Sequence, residues 1–323
     1  MLRKIIDNRF TQPLRPPLDR FCARHRLLCR LYERLSNNPN PRLRDALFNQ
    51  SLHSLKLSGA RCALAAWQVD DGAARFRMPM RAAQLGFDWE FALGALGHDV
   101  EVKSIYRKAV HWSRTRRKPY QFIDCGANFG IHSAYHLSAG VPTHSFEPNP
   151  ECLEYFRMLA QLNGWSLDHW HVTALGAEPG QAELVFPPGA TWLGSVDHSV
   201  QFRPGQSLQR LTVAVEALDQ IPLPALPILM KIDVEGSEIN VLRGAAGLLR
   251  TQVEAVVFES WRDSPDRAEL YALFDSLDFD VARINAEGTA RILDPAQFLT
   301  LPLPNALAIR RSTDPESLAM HLR

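Results

Sequence analysis

The sequence is short of nearly every feature that would classify it at a glance. Its five cysteines form no C-x-x-C pair, so neither a disulfide frame nor a zinc site is implied, and a reducing compartment is expected. No apolar run approaches the ~18 residues of a membrane span. The basic start, Met1 to Arg9, is not followed by the apolar core of a secretory leader, so the expected location is cytoplasmic. Internal repeats and low-complexity tracts are absent, as is H-E-x-x-H. The dinucleotide fingerprint G-x-G-x-x-G is missing too, although the surroundings of one are present.

What is there is an ordinary globular composition with a hidden asymmetry. The 323 residues are 46% hydrophobic and 22% charged, with a net charge of +1. Residues 1–118 hold 23 Lys and Arg against 10 Asp and Glu, and the remainder hold 13 against 25. Two parts of opposite sign imply different tasks or mutual attraction.

The basic part opens with Pro-punctuated residues and then a helical stripe: Leu18, Phe21, His25, Leu28, Tyr32 and Leu35, at steps of three and four. Arg20, Arg24, Arg26, Arg30 and Arg34 fall mostly off it. This predicts one helix ended by Ser36-Asn37-Asn38-Pro39-Asn40-Pro41. Such a helix could lie on an anionic membrane or a lipid-linked glycan, or dock on its own domain or a dimer mate. Residues 42–70 read as helical, 76–80 as a strand and 89–110 as a helix. A soft boundary at 70–72 divides a basic helical extension, 1–72, from one large domain, 73–323, whose core starts at 120.

From residue 120 the chain becomes regular. An apolar segment, 120–123, runs into Asp124-Cys125-Gly126-Ala127-Asn128-Phe129-Gly130. A helix-compatible run, 131–139, follows, and a second apolar segment, 141–146, stops at Glu147. Strand, glycine loop, helix, strand and acid make a nucleotide-binding βαβ unit. Its D-x-G-x-x-x-G order is not that of the dinucleotide loop. Asn149-Pro150-Glu151 starts a further helix. Strands are expected at 169–175, 227–234, 253–258, 281–284 and 306–309, helices at 239–249 and 267–277, and an inserted hairpin region at 182–215. Alternating strands and helices predict an α/β fold, an open, mostly parallel sheet with helices on both faces.

Ligands of such sheets lie beyond the carboxyl ends of the strands. Asp124, Glu147, Asp233 and Glu259 all fall there. Clustered carboxylates repel one another and are costly to desolvate, so a ligand with hydroxyls and a positive centre would account for them. S-adenosylmethionine fits, with its ribose diol for Glu147 and an ammonium near Asp124.

On these residues the chain resembles the FkbM family of S-adenosylmethionine-dependent methyltransferases. The matching pieces are F-I-D-C-G-A-N-F-G-I-H-S at 122–133, F-E-P-N-P at 146–150, A-L-G at 174–176, K-I-D-V-E-G-S-E-I-N-V-L-R-G-A at 231–245, V-V-F-E at 256–259 and N-A-L-A-I at 305–309. The resemblance covers roughly residues 76–311. The resemblance implies a Rossmann-like class I methyltransferase sheet of seven strands, the last antiparallel. It places Asp124, Gly126, Asn128 and Gly130 around the methionine part of the cofactor, Glu147 on the ribose and Ala174 beside adenine. The implied reaction is O-methylation of a sugar, glycan, glycolipid or secondary metabolite.

An acceptor hydroxyl must lose its proton, and Asp233 is the first candidate base. Asp233 could instead join Glu259 in holding a divalent metal. Lys231, two residues earlier on the strand, could pair with Asp233 in a catalytic or a merely structural ion pair. Glu238 reads as structural, while Glu235 is left open. His132 and His198 could reach the site, and Trp192 and Trp261 could stack on a sugar. The glycine loop is expected at the surface of the rim, so Gly126→Val should remove cofactor binding without unfolding the chain. Alternative readings are a NAD-linked oxidoreductase, a methyltransferase acting on nucleic acid through the basic region, and a non-catalytic scaffold. No aromatic–basic motif supports the nucleic-acid reading.

Overall fold

A computed structural model describes residues 15–58, 62–80, 89–188, 193–196, 205–260, 264 and 266–323. Trp192, His198 and Trp261 lie outside them. Three helices, α1 (Arg15–Arg24), α2 (Arg26–Ser36) and α3 (Pro41–Ser58), precede a hairpin of β1 (Ala66–Asp70) and β2 (Arg75–Pro79). Helices α4 (Trp89–Gly97) and α5 (Val100–Arg116) lead into β3 (Gln121–Cys125), α6 (Ile131–Ser138), β4 (Thr143–Phe146) and α7 (Pro150–Asn163). Helix α7 starts as its sequence requires: the Asn149 side chain accepts from the Glu151 N–H, and Pro150 takes the first turn.

Next come β5 (Trp170–His171), β6 (Ala174–Leu175), β7 (Gly180–Phe186) and β8 (Gln209–Glu216), then β9 (Ile228–Ile232), α8 (Glu238–Gly244), α9 (Ala246–Thr251) and β10 (Val253–Glu259). The chain finishes with α10 (Arg267–Ser276), β11 (Phe279–Ile284), β12 (Ala290–Ile292), α11 (Pro295–Thr300), β13 (Asn305–Arg310) and α12 (Leu318–Leu322).

The large sheet has the order β12-β11-β13-β10-β9-β3-β4-β5. Strands β5, β4, β3, β9 and β10 are parallel, and β13 runs antiparallel between β10 and β11. Apart from the edge piece β12, this is a seven-stranded sheet with its last strand antiparallel, as the sequence resemblance implied. The sheet is mixed rather than wholly parallel, and β12 makes it eight-stranded. Strands β3 and β9 are buried at every residue, as central strands covered on both faces must be. Successive residues feed opposite layers. Phe122 and Leu229 pack on the side of α5, α6 and α7, while Ile123 and Met230 pack on the side of α8 and α10.

Residues 66–70, read as helical, form β1, the helices expected over 89–110 and 239–249 are each broken in two, and three further expectations change. The third strand, expected unbroken over 169–175, is split. Its first piece extends the large sheet, and β6 turns away into a small sheet with β8 and β7. Thr173 marks the break, its hydroxyl donating to the Ala214 carbonyl at 3.0 Å. The boundary at 70–72 falls inside the β1–β2 hairpin, whose Arg77 N–H and C=O both pair with the Asn163 side chain on α7. Cys22, Ala23 and Cys29 share one core with Phe122, so residues before 72 are not a separate body.

The third change concerns the helical stripe. The chain breaks at His25, which is extended, so two helices replace the single one. Phe21, His25 and Leu35 face solvent, and Leu28 and Tyr32 are half-buried. The buried side carries Cys22, Ala23, Cys29, Glu33 and Ser36 instead. Helical spacing says which residues share a face, but not which face turns inward. Small residues permit close approach here. Glu33 is tolerated because its carboxylate accepts from the Gln68 N–H at 2.6 Å and from Arg30 at 2.7 Å.

Candidate active site at the strand ends

Register places the acids in two rows. Ser145, Asp124, Lys231 and Val257 are level across β4, β3, β9 and β10, and Phe146, Cys125, Ile232 and Phe258 form the next row. One step further lie Glu147, Gly126, Asp233 and Glu259. Three carboxylates therefore reach the rim together, with a glycine between the first and second. Asp124 stands two residues below that rim and is fully buried.

The inner row is closely paired, although Asp124 Oδ1 has the Lys231 ion pair and no hydrogen bond. Asp124 accepts from the Ser133 hydroxyl at 2.6 Å and lies 3.4 Å from the Lys231 ammonium. Lys231 also donates to the Gly126 carbonyl at 2.8 Å and lies 3.3 Å from Asp233. Burial pushes the Asp124 carboxyl up, against the pull of Lys231 and Ser133. Burial opposes the charge on Lys231, yet Asp233 and Asp124 hold that ammonium above its ordinary range. Lys231 thus ties the tip of β9 to β3 and to the glycine loop.

The glycines of that loop answer to the protein's own packing. Gly126 has φ +78°, and a Cβ on it would come within 1.8 Å of the Asp233 carbonyl oxygen. Gly130 has φ +76°, and a Cβ there would meet the Phe156 ring at 2.3 Å. The loop is wedged between strand tip and helix, so Gly126→Val cannot be the benign surface change its sequence suggested. The Gly126 and Ala127 N–H groups both donate to the Phe146 carbonyl, at 3.0 and 2.9 Å. Asn128, left-handed with φ 47°, donates its N–H to Glu147 at 2.8 Å. Three loop donors that could have cradled a phosphate are already engaged.

Glu147 accepts one backbone N–H per oxygen, from Asn128 and, at 2.9 Å, from Asn149. Each oxygen keeps a lone pair for another donor. Burial raises this carboxyl to about 7, with the two backbone donors pulling the other way. Ala174 is buried in β6, paired with Val215.

Asp233, Glu235 and Glu259 converge: each offers one carboxylate oxygen, and these lie within 4.8 Å of one another. Glu235 joins them because it takes a left-handed turn, φ 55°, just before Gly236. Its role was not legible, although the D-x-E spacing of Asp233 and Glu235 was a signal. Burial, then Asp233 and Glu238, push the Glu235 carboxyl up to about 8. Glu238 reaches back to accept from the Val234 and Gly236 N–H groups at 3.2 Å, the structural part expected of it. Ser195, in the inserted region, donates its hydroxyl to the Glu235 carbonyl at 2.8 Å and so ties that insertion to the acidic group.

On the other flank His132 accepts or donates at Nδ1 with the Tyr106 hydroxyl, 2.9 Å away. Burial, reinforced by Lys103 and Lys231, keeps the ring neutral. Asn305, level with Glu259 on β13, donates to Asp99 at 3.0 Å and Glu101 at 3.2 Å, bringing the start of α5 to the rim. Ser133, Tyr106 and Asn305 were not singled out from sequence, because hydroxyl and amide partners carry no spacing signature. A cleft of about 480 Å³ lies elsewhere, lined by Glu33, Arg34, Asn37 and Asp71 among others, far in sequence from the strand-end acids.

Residues 124–281 match the profile of the methyltransferase FkbM domain. Methyltransferase 1 of Beauveria bassiana (strain ARSEF 2860) is 28% identical over 180 residues, which cover 50% of this chain and 72% of that protein. Methyltransferase sdnD of Sordaria araneosa is 41% identical over 59 residues, 18% of this chain and 23% of that one. Among solved structures, the precorrin-6y C5,15-methyltransferase from Geobacter metallireducens GS-15 aligns with a TM-score of 0.31 and 12% identity. That alignment covers 73% of this chain and 95% of that one. Residues 124–281, just under half of the chain, thus resemble an FkbM methyltransferase domain.

Proposed function

We propose that this chain transfers a methyl group from S-adenosylmethionine to a hydroxyl of a sugar, glycan or other small acceptor, as its resemblance to the methyltransferase FkbM domain suggests. The observation that carries it is the row Glu147, Gly126, Asp233 and Glu259 at the carboxyl ends of adjacent strands. The residues suit this cofactor better than a dinucleotide. The loop N–H groups of residues 126–128 are taken by Phe146 and Glu147, whereas a pyrophosphate would want them free. A carboxylate rim suits a cationic ligand.

In this reading Glu147 receives the ribose diol on its two spare lone pairs. The backbone of Gly126, Asn128 and Gly130 borders the methionine part, with Asp124 beneath it fixing the loop through Lys231 and Ser133. Ala174 borders adenine. The bound cofactor supplies an electrophilic sulfonium methyl. Asp233, partly exposed at the rim, would accept the proton of the acceptor hydroxyl as the hydroxyl oxygen took the methyl group and the carbon–sulfur bond broke, leaving the neutral thioether. Lys231 positions Asp233. Holding acceptor and methyl group in line supplies much of the remaining acceleration.

A second reading rests on the convergence of Asp233, Glu235 and Glu259: an all-oxygen set of this kind suits a divalent cation such as Mg²⁺, which would draw the acceptor oxygen to the rim.

Calorimetric titration with S-adenosylhomocysteine, NAD and Mg²⁺, alongside Glu147→Ala, tests both. Binding of the adenosyl ligand alone, weakened in the variant, is expected. A preference for NAD would overturn the proposal. Asp233→Asn is expected to cut turnover by about 10²- to 10⁴-fold while cofactor affinity stays near normal. Surviving turnover would reduce Asp233 to a structural residue.

A further inference from the structure

Helix α2 turns its apolar stripe away from the protein. Leu27, Leu31 and Leu35 are four residues apart and form one line along the helix. Leu27 is 85% exposed and Leu31 50%. The opposite line, Cys29, Glu33 and Ser36, is the buried one. Phe21 and Leu43, just before and after this helix, are exposed as well. Five of the nine large hydrophobic side chains exposed among the described residues therefore lie within residues 21–43. Singly exposed leucines are ordinary, but a contiguous line is not.

The charge along this stretch of sequence is almost wholly positive. Between Arg20 and Arg44 there are seven arginines and one acid, Glu33. Glu33 is buried and held by the Gln68 N–H and Arg30. Arg42 pairs with Glu287, and Arg44 is buried. Arg20, Arg24, Arg26, Arg30 and Arg34 stand exposed beside the leucines. Among the described residues no ion pair joins Arg24, Arg26 or Arg34.

We infer that this face of α2 docks on an anionic lipid surface, with Phe21, Leu27, Leu31 and Leu35 entering the headgroup boundary and the flanking arginines meeting lipid phosphates and carboxylates. A line of leucines bordered by a line of guanidinium groups, here Arg26, Arg30 and Arg34, is what an interfacial helix requires. A second copy of the chain fits less well, because closing two such faces would crowd two sets of arginines together. Nucleic acid would meet the arginines but leave the leucine line in water. No helix among the described residues is long and apolar enough to cross a membrane, so the contact is peripheral. The inference is independent of the methyltransferase reading.

Sedimentation of the full chain with phosphatidylcholine vesicles, with and without phosphatidylserine, tests it. Binding is expected only with phosphatidylserine, falling as salt is raised. Leu27→Glu/Leu31→Glu and, separately, Arg24→Glu/Arg26→Glu should each lower vesicle affinity about tenfold or more, with unchanged thermal melts. Three results would overturn it: no sedimentation with anionic vesicles, the double leucine variant sedimenting like the native chain, or light scattering that finds a dimer which that variant splits.

Discussion

The strand-end rim and helix α2 treat charge in opposite ways. At the rim, charge is drawn inward and matched: Lys231 holds two carboxylates and a carbonyl, and Glu147 is pinned by two backbone donors. On α2 the arginines stay outside with the leucines, and the buried line is built from small residues and one satisfied acid. Buried charge must be paired, because removing one partner leaves the other uncompensated. Exposed charge carries no such obligation. The rim should therefore be intolerant of single substitutions and the exposed face of α2 indifferent to them.

The severest break is at Gly126. Even Gly126→Ala puts a Cβ into the Asp233 carbonyl and forces a left-handed residue. A loss of several kcal/mol, about 3 or more, is expected, seen as a lower melting temperature together with lost cofactor binding. A variant that melts normally yet fails to bind would restore the surface-loop picture. Lys231→Met comes next. It strands the fully buried Asp124, at a cost of about 3 kcal/mol. Asp233 is partly exposed, so only the Asp124 half of the pair is counted. Adding Asp124→Asn to Lys231→Met should return part of that stability in denaturant titration. If it returns none, Lys231 serves the glycine loop through the Gly126 carbonyl alone.

These two residues also show what a sequence can disclose. Glycines at 126 and 130 and acids at the ends of successive apolar runs are local marks, and βαβ geometry turns them into neighbours with little freedom. The open sheet with helices on both faces followed from the same marks, whereas the reversal of its last strand was legible only through the family resemblance. Other features depend on tertiary choices that spacing does not encode. Which side of α2 faces inward was decided by close approach of Cys22, Ala23 and Cys29. The division of 169–175 between two sheets falls at Thr173, whose hydroxyl bonds across to Ala214. Glu235 joins Asp233 and Glu259 only because its backbone takes a left-handed turn. The hairpin at 66–79 erased an expected boundary because its second strand found Asn163, 86 residues away.

A milder effect separates a ligand-binding carboxylate from a merely buried one. Burial raises Glu147 to about 7. The folded chain therefore holds this proton more tightly than the unfolded chain. The group's contribution to stability is full below about pH 4.5 and is lost as pH rises through about 7. Binding of a ribose diol runs the other way, since the ionised carboxylate is the better acceptor. Affinity for S-adenosylhomocysteine should fall as pH drops below about 7, approaching tenfold per unit, and Glu147→Gln should flatten the profile. A flat profile in the native chain would remove Glu147 from the ribose.

The smallest effect is expected on α2, and it is the one that tests the contrast itself. Leu27 and Leu31 are largely exposed, so Leu27→Glu/Leu31→Glu should shift stability by no more than about 0.5 kcal/mol per site. Cofactor affinity should not change, because the pair belongs to neither the loop nor the rim. A loss well above 1 kcal/mol would mean that the leucine line is covered within the chain, and α2 would then obey the same rule of burial as the rim. Unchanged stability with lost vesicle binding would instead show that the line is kept apolar for what lies outside the protein. Charge and apolar surface would then be spent inward at one end of the sequence and outward at the other.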